Sequence, residues 1–235
     1  MARDKNAVIR NQHASLIRLI RERNYHTLID LGCGNAEKAL FFAQELGMKV
    51  TAMDEFEGHG SDARLEDIGK KVNTLGLSER VSVIKLDALQ IEQLGQTFDV
   101  VFIQNVLHHI FPWPESKNSE RIKSFFNELR KILSQRGLIY ITNAGRWNFW
   151  DRLHRVIPGK WYQAKLFSSI NQVDFNTKTP ASVWQVYLKE AGFHKLFLEY
   201  YVPYEFRRLK WALNNPLANV FIESIYSIAA ESSVR

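Results

Sequence analysis

The stretch Thr27-Leu-Ile-Asp-Leu-Gly-Cys-Gly-Asn-Ala36 decides the fold of this chain. A short apolar run passes through the carboxylate of Asp30 into two glycines, Gly32 and Gly34, and a helical pattern follows. Glycine lets the backbone turn sharply and approach a ligand, because no side chain stands in the way. This order of strand, turn and helix predicts a ligand site at the end of a buried strand, for a molecule with hydroxyl or ammonium groups.

A dinucleotide is a poor match for this turn. The dinucleotide fingerprint has a third glycine at the position that Glu37 occupies here, and Asp30 places a second carboxylate just before the first glycine. Carboxylates at the mouth of the loop repel a diphosphate. An uncharged or cationic ligand therefore suits the loop better.

Length and composition indicate a globular protein. The chain has 235 residues, of which 46% are hydrophobic and 24% charged, and we expect a single domain over 1–235. Its only cysteine, Cys33, has no partner for an internal disulfide, which favours a cytoplasmic location. We expect no transmembrane segment, because the best apolar stretch, 217–230, is short and carries Glu223.

Apolar strands and amphipathic helices alternate along the chain. An amphipathic helix over 8–23 comes first, and the predicted strands are 27–31, 49–53, 81–86, 98–104 and 138–142, with helices between them. Two more strands, 193–201 and 220–229, follow a helix that starts near Pro180. Such alternation predicts an α/β doubly wound sheet with right-handed crossovers.

The run Asp30-Leu-Gly-Cys-Gly34 resembles the first motif of the class I S-adenosylmethionine-dependent methyltransferases, Asp/Glu-x-Gly-x-Gly-x-Gly. Ala36 replaces the last glycine of that motif. The resemblance implies a Rossmann-like sheet of seven strands with an antiparallel C-terminal edge. It also implies S-adenosylmethionine as cofactor, S-adenosylhomocysteine as product, and an enzyme of the small-molecule, lipid or glycan type.

Polar residues stand at the ends of the first four predicted strands, where ligands of doubly wound sheets bind. A carboxylate at Asp54 can accept two hydrogen bonds from a ribose diol. By resemblance, Asp54 holds the ribose, Asp87 with Ala88 holds the adenine, and Asp30 with the glycines holds the methionine part. The implied cofactor residues are Asp30, Gly32, Cys33, Gly34, Asp54, Glu55, Asp87, Ala88, Gln104 and Asn105. Cys33 is a packing residue rather than a nucleophile, because no histidine follows it closely.

Two histidines follow the fourth strand, where the family places its substrate-facing motif. We expect Leu107 and Ile110 to pack inward and one imidazole to face the acceptor. His109 is the first candidate for a base or orienting group and His108 the second, since an imidazole titrates near neutrality. The alternative is a histidine that only bonds a neighbouring loop. No metal site is predicted.

Two segments interrupt the alternation. The segment 143–179 mixes basic and aromatic residues, and it is predicted to be a helical and aromatic lid after strand five. The segment 203–217, between the last two strands, is basic and amphipathic. Such segments can bind nucleic acid, lie on a membrane surface or wall an apolar pocket, or they can be ordinary solvated faces.

The sequence therefore predicts an S-adenosylmethionine-dependent methyltransferase that acts on a small-molecule, lipid-linked or glycan-linked acceptor, with peripheral membrane contact as an option. Methyltransferases of nucleic-acid bases resemble one another in an Asp/Asn-Pro-Pro-Tyr motif, whereas this chain has Gln104-Asn-Val-Leu107. That difference disfavours a nucleic acid partner. Two alternatives stay open: a non-catalytic protein that only binds the cofactor, and an RNA-directed methyltransferase.

Overall fold

The computed structural model describes residues 4–56, 64–111, 119–144, 179, 181–201 and 225–232. Its helices are α1 (Lys5–Gln12), α2 (Ala14–Arg23), α3 (Glu37–Leu46), α4 (Leu65–Thr74), α5 (Leu107–Ile110), α6 (Glu120–Lys131) and α7 (Ala181–Glu190), with a 3-10 helix at Ala88–Leu94. Its strands are β1 (Thr27–Leu31), β2 (Lys49–Asp54), β3 (Val81–Lys85), β4 (Phe98–Gln104), β5 (Leu133–Ala144), β6 (Phe193–Tyr201) and β7 (Ile225–Ser232).

The seven strands form one sheet in the order β3-β2-β1-β4-β5-β7-β6. Strands β1 to β5 are parallel, and β7 pairs antiparallel with both β5 and β6. Strand order reverses between β1 and β4, which pair directly. The predicted seven-stranded sheet with an antiparallel C-terminal edge is confirmed, and its reversal point lies at the glycine turn.

Helices cover both faces of the sheet. On one face α1, α2, α3 and α4 bury apolar side chains such as Leu16, Phe42 and Ile68. On the other face the 3-10 helix, α5, α6 and α7 do the same with side chains such as Phe126 and Trp184. Central parallel strands are consequently apolar on both sides, which explains why β1 and β4 read as nearly continuous apolar runs.

Three local predictions are corrected. The expected helix over 8–23 is two helices, because the backbone leaves helical geometry at His13 (φ −114°, ψ 26°). Strand β5 begins at Leu133 rather than at residue 138, with an irregular register between the two and a left-handed backbone at Arg136. The 3-10 helix after β3 was not expected.

The predicted lid over 143–179 and the basic segment 203–217 lie almost entirely or entirely outside the described residues. Within the described ranges, no helix has the length and apolar character needed to span a bilayer.

Candidate functional site

Three residues with a left-handed backbone conformation shape the loop after β1. Gly32, Gly34 and Ala36 have φ values of 72°, 51° and 58°. Glycine adopts this conformation freely, whereas an L-alanine is strained there by about 1–2 kcal/mol. The left-handed backbone at Ala36 therefore explains why the motif Asp/Glu-x-Gly-x-Gly-x-Gly usually has a glycine at this position.

Hydrogen bonds tie this loop to the end of β2. The Gly32 and Cys33 N–H groups both donate to the Met53 carbonyl, at 2.8 and 3.0 Å. The Gly34 N–H donates to Asp54 Oδ2 at 2.9 Å. The ends of β1 and β2 are thus joined into one rigid edge.

The two glycines differ in the space around them. A Cβ built on Gly32 would lie 2.2 Å from Val106 Cγ2, so the turn packs directly against the segment after β4. A Cβ built on Gly34 would have no heavy atom within 4 Å among the described residues. Gly32 is therefore required for packing, whereas Gly34 borders open space that a ligand can occupy.

Asp54 and Asp87 lie at the ends of neighbouring strands. Asp54 Oδ1 accepts a hydrogen bond from the Phe56 N–H at 2.9 Å, and Asp87 Oδ1 accepts one from the Leu89 N–H at 2.8 Å. Each carboxylate has about four acceptor sites, so these bonds fix its orientation and leave capacity for ligand hydroxyl or amino groups. Ala88 is buried next to Asp87.

Asp30 is a buried carboxyl at the end of β1. It is 2% exposed, and its Oδ2 atom has no hydrogen-bond partner among the described residues. Burial raises the pKa of Asp30 to about 7, while Lys38 and the Ala39 N–H oppose the shift and Asp54 adds to it. A buried oxygen without a partner, in an anionic site, fits a ligand that brings a cationic donor.

The end of β4 carries Gln104 and Asn105. Gln104 Oε1 is buried and makes no well-formed hydrogen bond in the described part of the chain, and its side chain lies beside His13. Asn105 has a left-handed backbone (φ 56°), and its N–H donates to the Thr142 carbonyl at 2.9 Å. This turn directs the chain into α5, past Val106 and the glycine loop.

The two histidines of α5 have different surroundings. His108 is 4% exposed, and its Nδ1 lies 2.8 Å from Asn143 Oδ1 at the end of β5. His109 is exposed, its ring lies 4.1 Å from the His108 ring, and partial burial lowers its pKa. Leu107 is buried and Ile110 packs against the core, as expected.

Asn143 and Tyr226 extend this polar region to the antiparallel edge and were not predicted as site residues. They are paired across β5 and β7, Tyr226 is fully buried, and its hydroxyl donates to the Thr179 carbonyl at 3.0 Å. Asn143 could have been found, because it comes directly after the predicted fifth strand (138–142), as Asn105 comes directly after the fourth (98–104). Tyr226 gave no signal, since it lies inside an apolar run.

The predicted cofactor residues meet at one edge of the sheet. They lie on or just after the carboxyl ends of β3, β2, β1 and β4, which are consecutive strands in the sheet. Glu55 and Asn105 are the exposed members of the set. Cys33 is buried, and burial, Asp30 and Asp54 raise the pKa of its thiol, so it remains protonated and uncharged.

The residues present fit S-adenosylmethionine. Acceptors at two adjacent strand ends suit an adenosine, open space at Gly34 allows close approach, and the buried Asp30 oxygen, which has no partner among the described residues, suits an amino-acid ammonium group. Among the described residues, no group of three or more His, Cys, Asp or Glu residues could hold a metal ion.

Comparison of the sequence with models of protein families gives one match. Residues 29–141 match the family model described as Methyltransferase domain. No curated protein matches the chain in sequence.

Solved structures share the fold at low identity. Geranyl diphosphate C-methyltransferase from Streptomyces coelicolor, crystallised with Mg²⁺, geranyl diphosphate and S-adenosylhomocysteine, is 13% identical, with a TM-score of 0.61 over 94% of this chain and 79% of that one. The cyclopropane synthase MmaA2 from Mycobacterium tuberculosis is 15% identical, with a TM-score of 0.62 over 88% and 78%. TehB from Haemophilus influenzae is 15% identical with a TM-score of 0.59, and the match covers 94% of this chain but only 62% of TehB, less than two thirds of its length.

The family match spans β1 to β5, and the glycine loop with its neighbouring strand ends lies inside it. The sheet order and the antiparallel edge agree with the same family. Residues 29–141 therefore form a methyltransferase domain, and the chain has the fold of the class I S-adenosylmethionine-dependent methyltransferases.

Proposed function

We propose that this methyltransferase modifies a small-molecule acceptor of apolar or aromatic character, free or lipid-linked, which binds beside His109. The observation that carries the proposal is the position of α5. Val106 packs on Gly32, so the turn that bears His108 and His109 begins directly against the loop proposed to bind the cofactor.

The cofactor residues are proposed from their places at the strand ends. Asp54 would hold the ribose hydroxyls, Asp87 and Ala88 the adenine, and Asp30 with Gly34 the amino-acid end. The hydrogen bonds that already orient Asp54 and Asp87 support these roles, because a preoriented acceptor loses little freedom when a ligand binds.

Bound there, the sulfonium supplies an electrophilic methyl group. The residues of this chain then have to hold an acceptor in line with it and exclude water, and such positioning accounts for much of the acceleration in displacement reactions. A lowered pKa keeps the His109 imidazole neutral near pH 7, in the form that accepts a proton from a hydroxyl or amine. His108 is the second candidate, and its bond to Asn143 fixes the orientation of its ring.

A small acceptor is supported by two features. The segment after β4 has no base-stacking Asp/Asn-Pro-Pro-Tyr motif, and the structurally similar methyltransferase from Streptomyces coelicolor carries geranyl diphosphate in its name. A cytoplasmic location is likewise proposed, from the single cysteine.

His109→Ala tests this function. Methyl transfer from labelled S-adenosylmethionine is first measured with metabolite, lipid and RNA extracts, to find an acceptor fraction. We expect His109→Ala to lower turnover about a hundredfold, in the range of general acid–base contributions, with unchanged affinity for S-adenosylhomocysteine. His194→Ala, an exposed histidine on β6, is the matched control and should keep full turnover.

Other outcomes separate the alternatives. Cofactor binding without turnover on any fraction would favour the non-catalytic protein. Turnover on RNA only, with affinity that falls steeply with salt, would favour the RNA-directed enzyme. Unchanged turnover in His109→Ala would remove this histidine from the reaction.

A further inference from the structure

We infer that His13, at the junction of α1 and α2, is a binding residue for the amino-acid end of the cofactor and acts together with Gln104. The inference rests on the proposed placement of the cofactor at the glycine loop. His13 lies outside the matched family segment and outside the motif that predicts the cofactor site.

The surroundings of His13 leave its polar atoms incompletely paired. Its side chain is 0% exposed, neither ring nitrogen makes a well-formed hydrogen bond to a described residue, and Gln104 is the polar side chain that lies close enough to interact with the ring. Its ring packs against Phe42, Phe102 and Tyr140 with centroid distances of 6.4, 5.1 and 5.8 Å. Buried polar groups are nearly always paired in folded proteins, and Gln104 can serve only one of the two ring nitrogens, so the other calls for a partner that the described residues do not supply.

His13 lies on the face of the sheet that holds the proposed amino-acid site. Phe102, against which it packs, is the register partner of Asp30 on the neighbouring strand. Gln104 follows two residues later and therefore points to the same face as Phe102. Asp30 Oδ2 has no hydrogen-bond partner within the described ranges and Gln104 Oε1 makes no well-formed bond there, so three incompletely paired polar side chains share this face.

The charges around these groups match a zwitterion. Lys38, in the first turn of α3, lies close enough to lower the pKa of both His13 and Asp30. Burial is the largest cause for His13 and lowers its pKa to about 3, so the ring is neutral and offers one N–H donor and one acceptor. An amino-acid group carries an ammonium for the acceptors of Asp30 and Gln104, and a carboxylate for Lys38 and the His13 N–H.

The first of the two helices that flank His13 is held by weak attachments. In the described part of α1 only Ile9 is buried, whereas α2 is anchored in the core by Leu16, Ile17 and Ile20. Lys5 pairs with Glu37 and Arg10 with Glu45, both at 2.6 Å, and all four side chains are substantially solvent-accessible. Exposed ion pairs contribute about 0–1 kcal/mol each. We therefore expect α1 to move so that the buried ring meets the ligand, and hydrogen exchange over residues 5–12 to slow when the cofactor binds.

Two ligands test the inference by calorimetry. S-adenosylhomocysteine has the amino-acid end, whereas 5′-methylthioadenosine lacks it and keeps the adenosine. We expect His13→Leu to weaken S-adenosylhomocysteine binding about tenfold, the value of one lost hydrogen bond to a charged group, and to leave 5′-methylthioadenosine affinity unchanged. His13→Gln keeps a donor and an acceptor and should retain most of the affinity.

Further variants separate a wrong role for His13 from a wrong placement of the cofactor. Asp54→Ala should weaken both ligands, because it removes the ribose partner, and Gln104→Met should weaken only S-adenosylhomocysteine. His26→Leu, an exposed histidine at the opposite edge of the sheet, should change neither affinity. If both His13 variants bind S-adenosylhomocysteine as the wild type does while Asp54→Ala does not, His13 is a core residue only. If Asp54→Ala also binds normally, the proposed cofactor placement itself is wrong.

Discussion

Asp30 gives cofactor binding a pH dependence that can be measured. Its pKa is raised to about 7 from an ordinary value of 3.8, chiefly by burial, so the free protein holds a proton there that an exposed aspartate would have lost. A cationic ammonium next to this carboxyl favours the ionised form and lowers its pKa. Binding at about pH 6–7 should therefore release up to about one proton, and affinity should rise with pH until about pH 7.

Calorimetry in two buffers of different ionisation enthalpy measures this proton release directly. Asp30→Asn should abolish it and weaken binding above neutral pH. His13 cannot supply the proton, because its pKa of about 3 keeps it neutral over this range in the free protein. Proton release that persists in Asp30→Asn would assign the titration to another group.

At the residue scale, the sequence allowed polar residues to be predicted where they follow apolar strands. Asp30, Asp54 and Asp87 were found in this way because the strands before them are recognisable. The helix break at His13 was missed because apolar residues keep helical spacing on both sides of it, and a break without proline or glycine leaves no local signal.

Among the elements, the turn between β1 and α3 depends on its two glycines for different reasons. Gly32→Ala places a methyl group 2.2 Å from Val106 Cγ2 and strains a φ of 72°, so we expect a loss of about 3 kcal/mol in the free energy of unfolding. Gly34→Ala meets no described atom and should lose only about 1–2 kcal/mol, but its methyl group should weaken S-adenosylhomocysteine binding.

Thermal unfolding and calorimetry of the two variants provide the comparison. Gly32→Ala combined with Val106→Ala should recover part of the stability, because the clash is removed while the backbone strain remains. Equal destabilisation by the two single variants would contradict the difference in space around the two glycines.

Element boundaries were predictable where burial is simple. The bounds of β1 and β4 were predicted correctly, because strands buried on both faces are nearly uninterrupted apolar runs. The early start of β5 was not, because its register with β4 shifts and Arg136 adopts a left-handed backbone that arginine rarely takes. The short 3-10 helix depends on Asp87 accepting the Leu89 N–H, a capping bond that any strand-end aspartate could make.

For the whole molecule, Asp99 joins three strands at the edge opposite the site. Its Oδ2 atom accepts hydrogen bonds from the His26 N–H, the Thr27 N–H and the Thr27 hydroxyl at 2.8 to 3.0 Å, and its Oδ1 accepts one from the Ser134 hydroxyl at 2.8 Å. Asp99→Ala should lower the free energy of unfolding by about 2–3 kcal/mol at neutral pH, because it removes bonds to a charged acceptor. Cofactor affinity should not change.

This stabilisation has a defined pH range. Although burial opposes the shift, these donors lower the pKa of Asp99 below 3.8, so its contribution is complete above the unfolded value and disappears as the pH falls through the folded one. Urea denaturation of the wild type and Asp99→Ala should therefore show a difference that is full near pH 7 and shrinks below about pH 4. A difference that is independent of pH would mean that packing, and not the ionised carboxylate, stabilises this edge.

The place of β7 between β5 and β6 has a consequence for biosynthesis. The ribosome makes β6 before β7, yet among the described strands β6 pairs with β7 alone. Until residues 225–232 emerge, β5 presents an open edge and β6 has no partner, so the nascent chain exposes unpaired strand edges of the kind that aggregate. A chaperone or a fast final folding step would have to protect the nascent chain until β7 is made. Translation that stops just before residue 225 should yield an insoluble product.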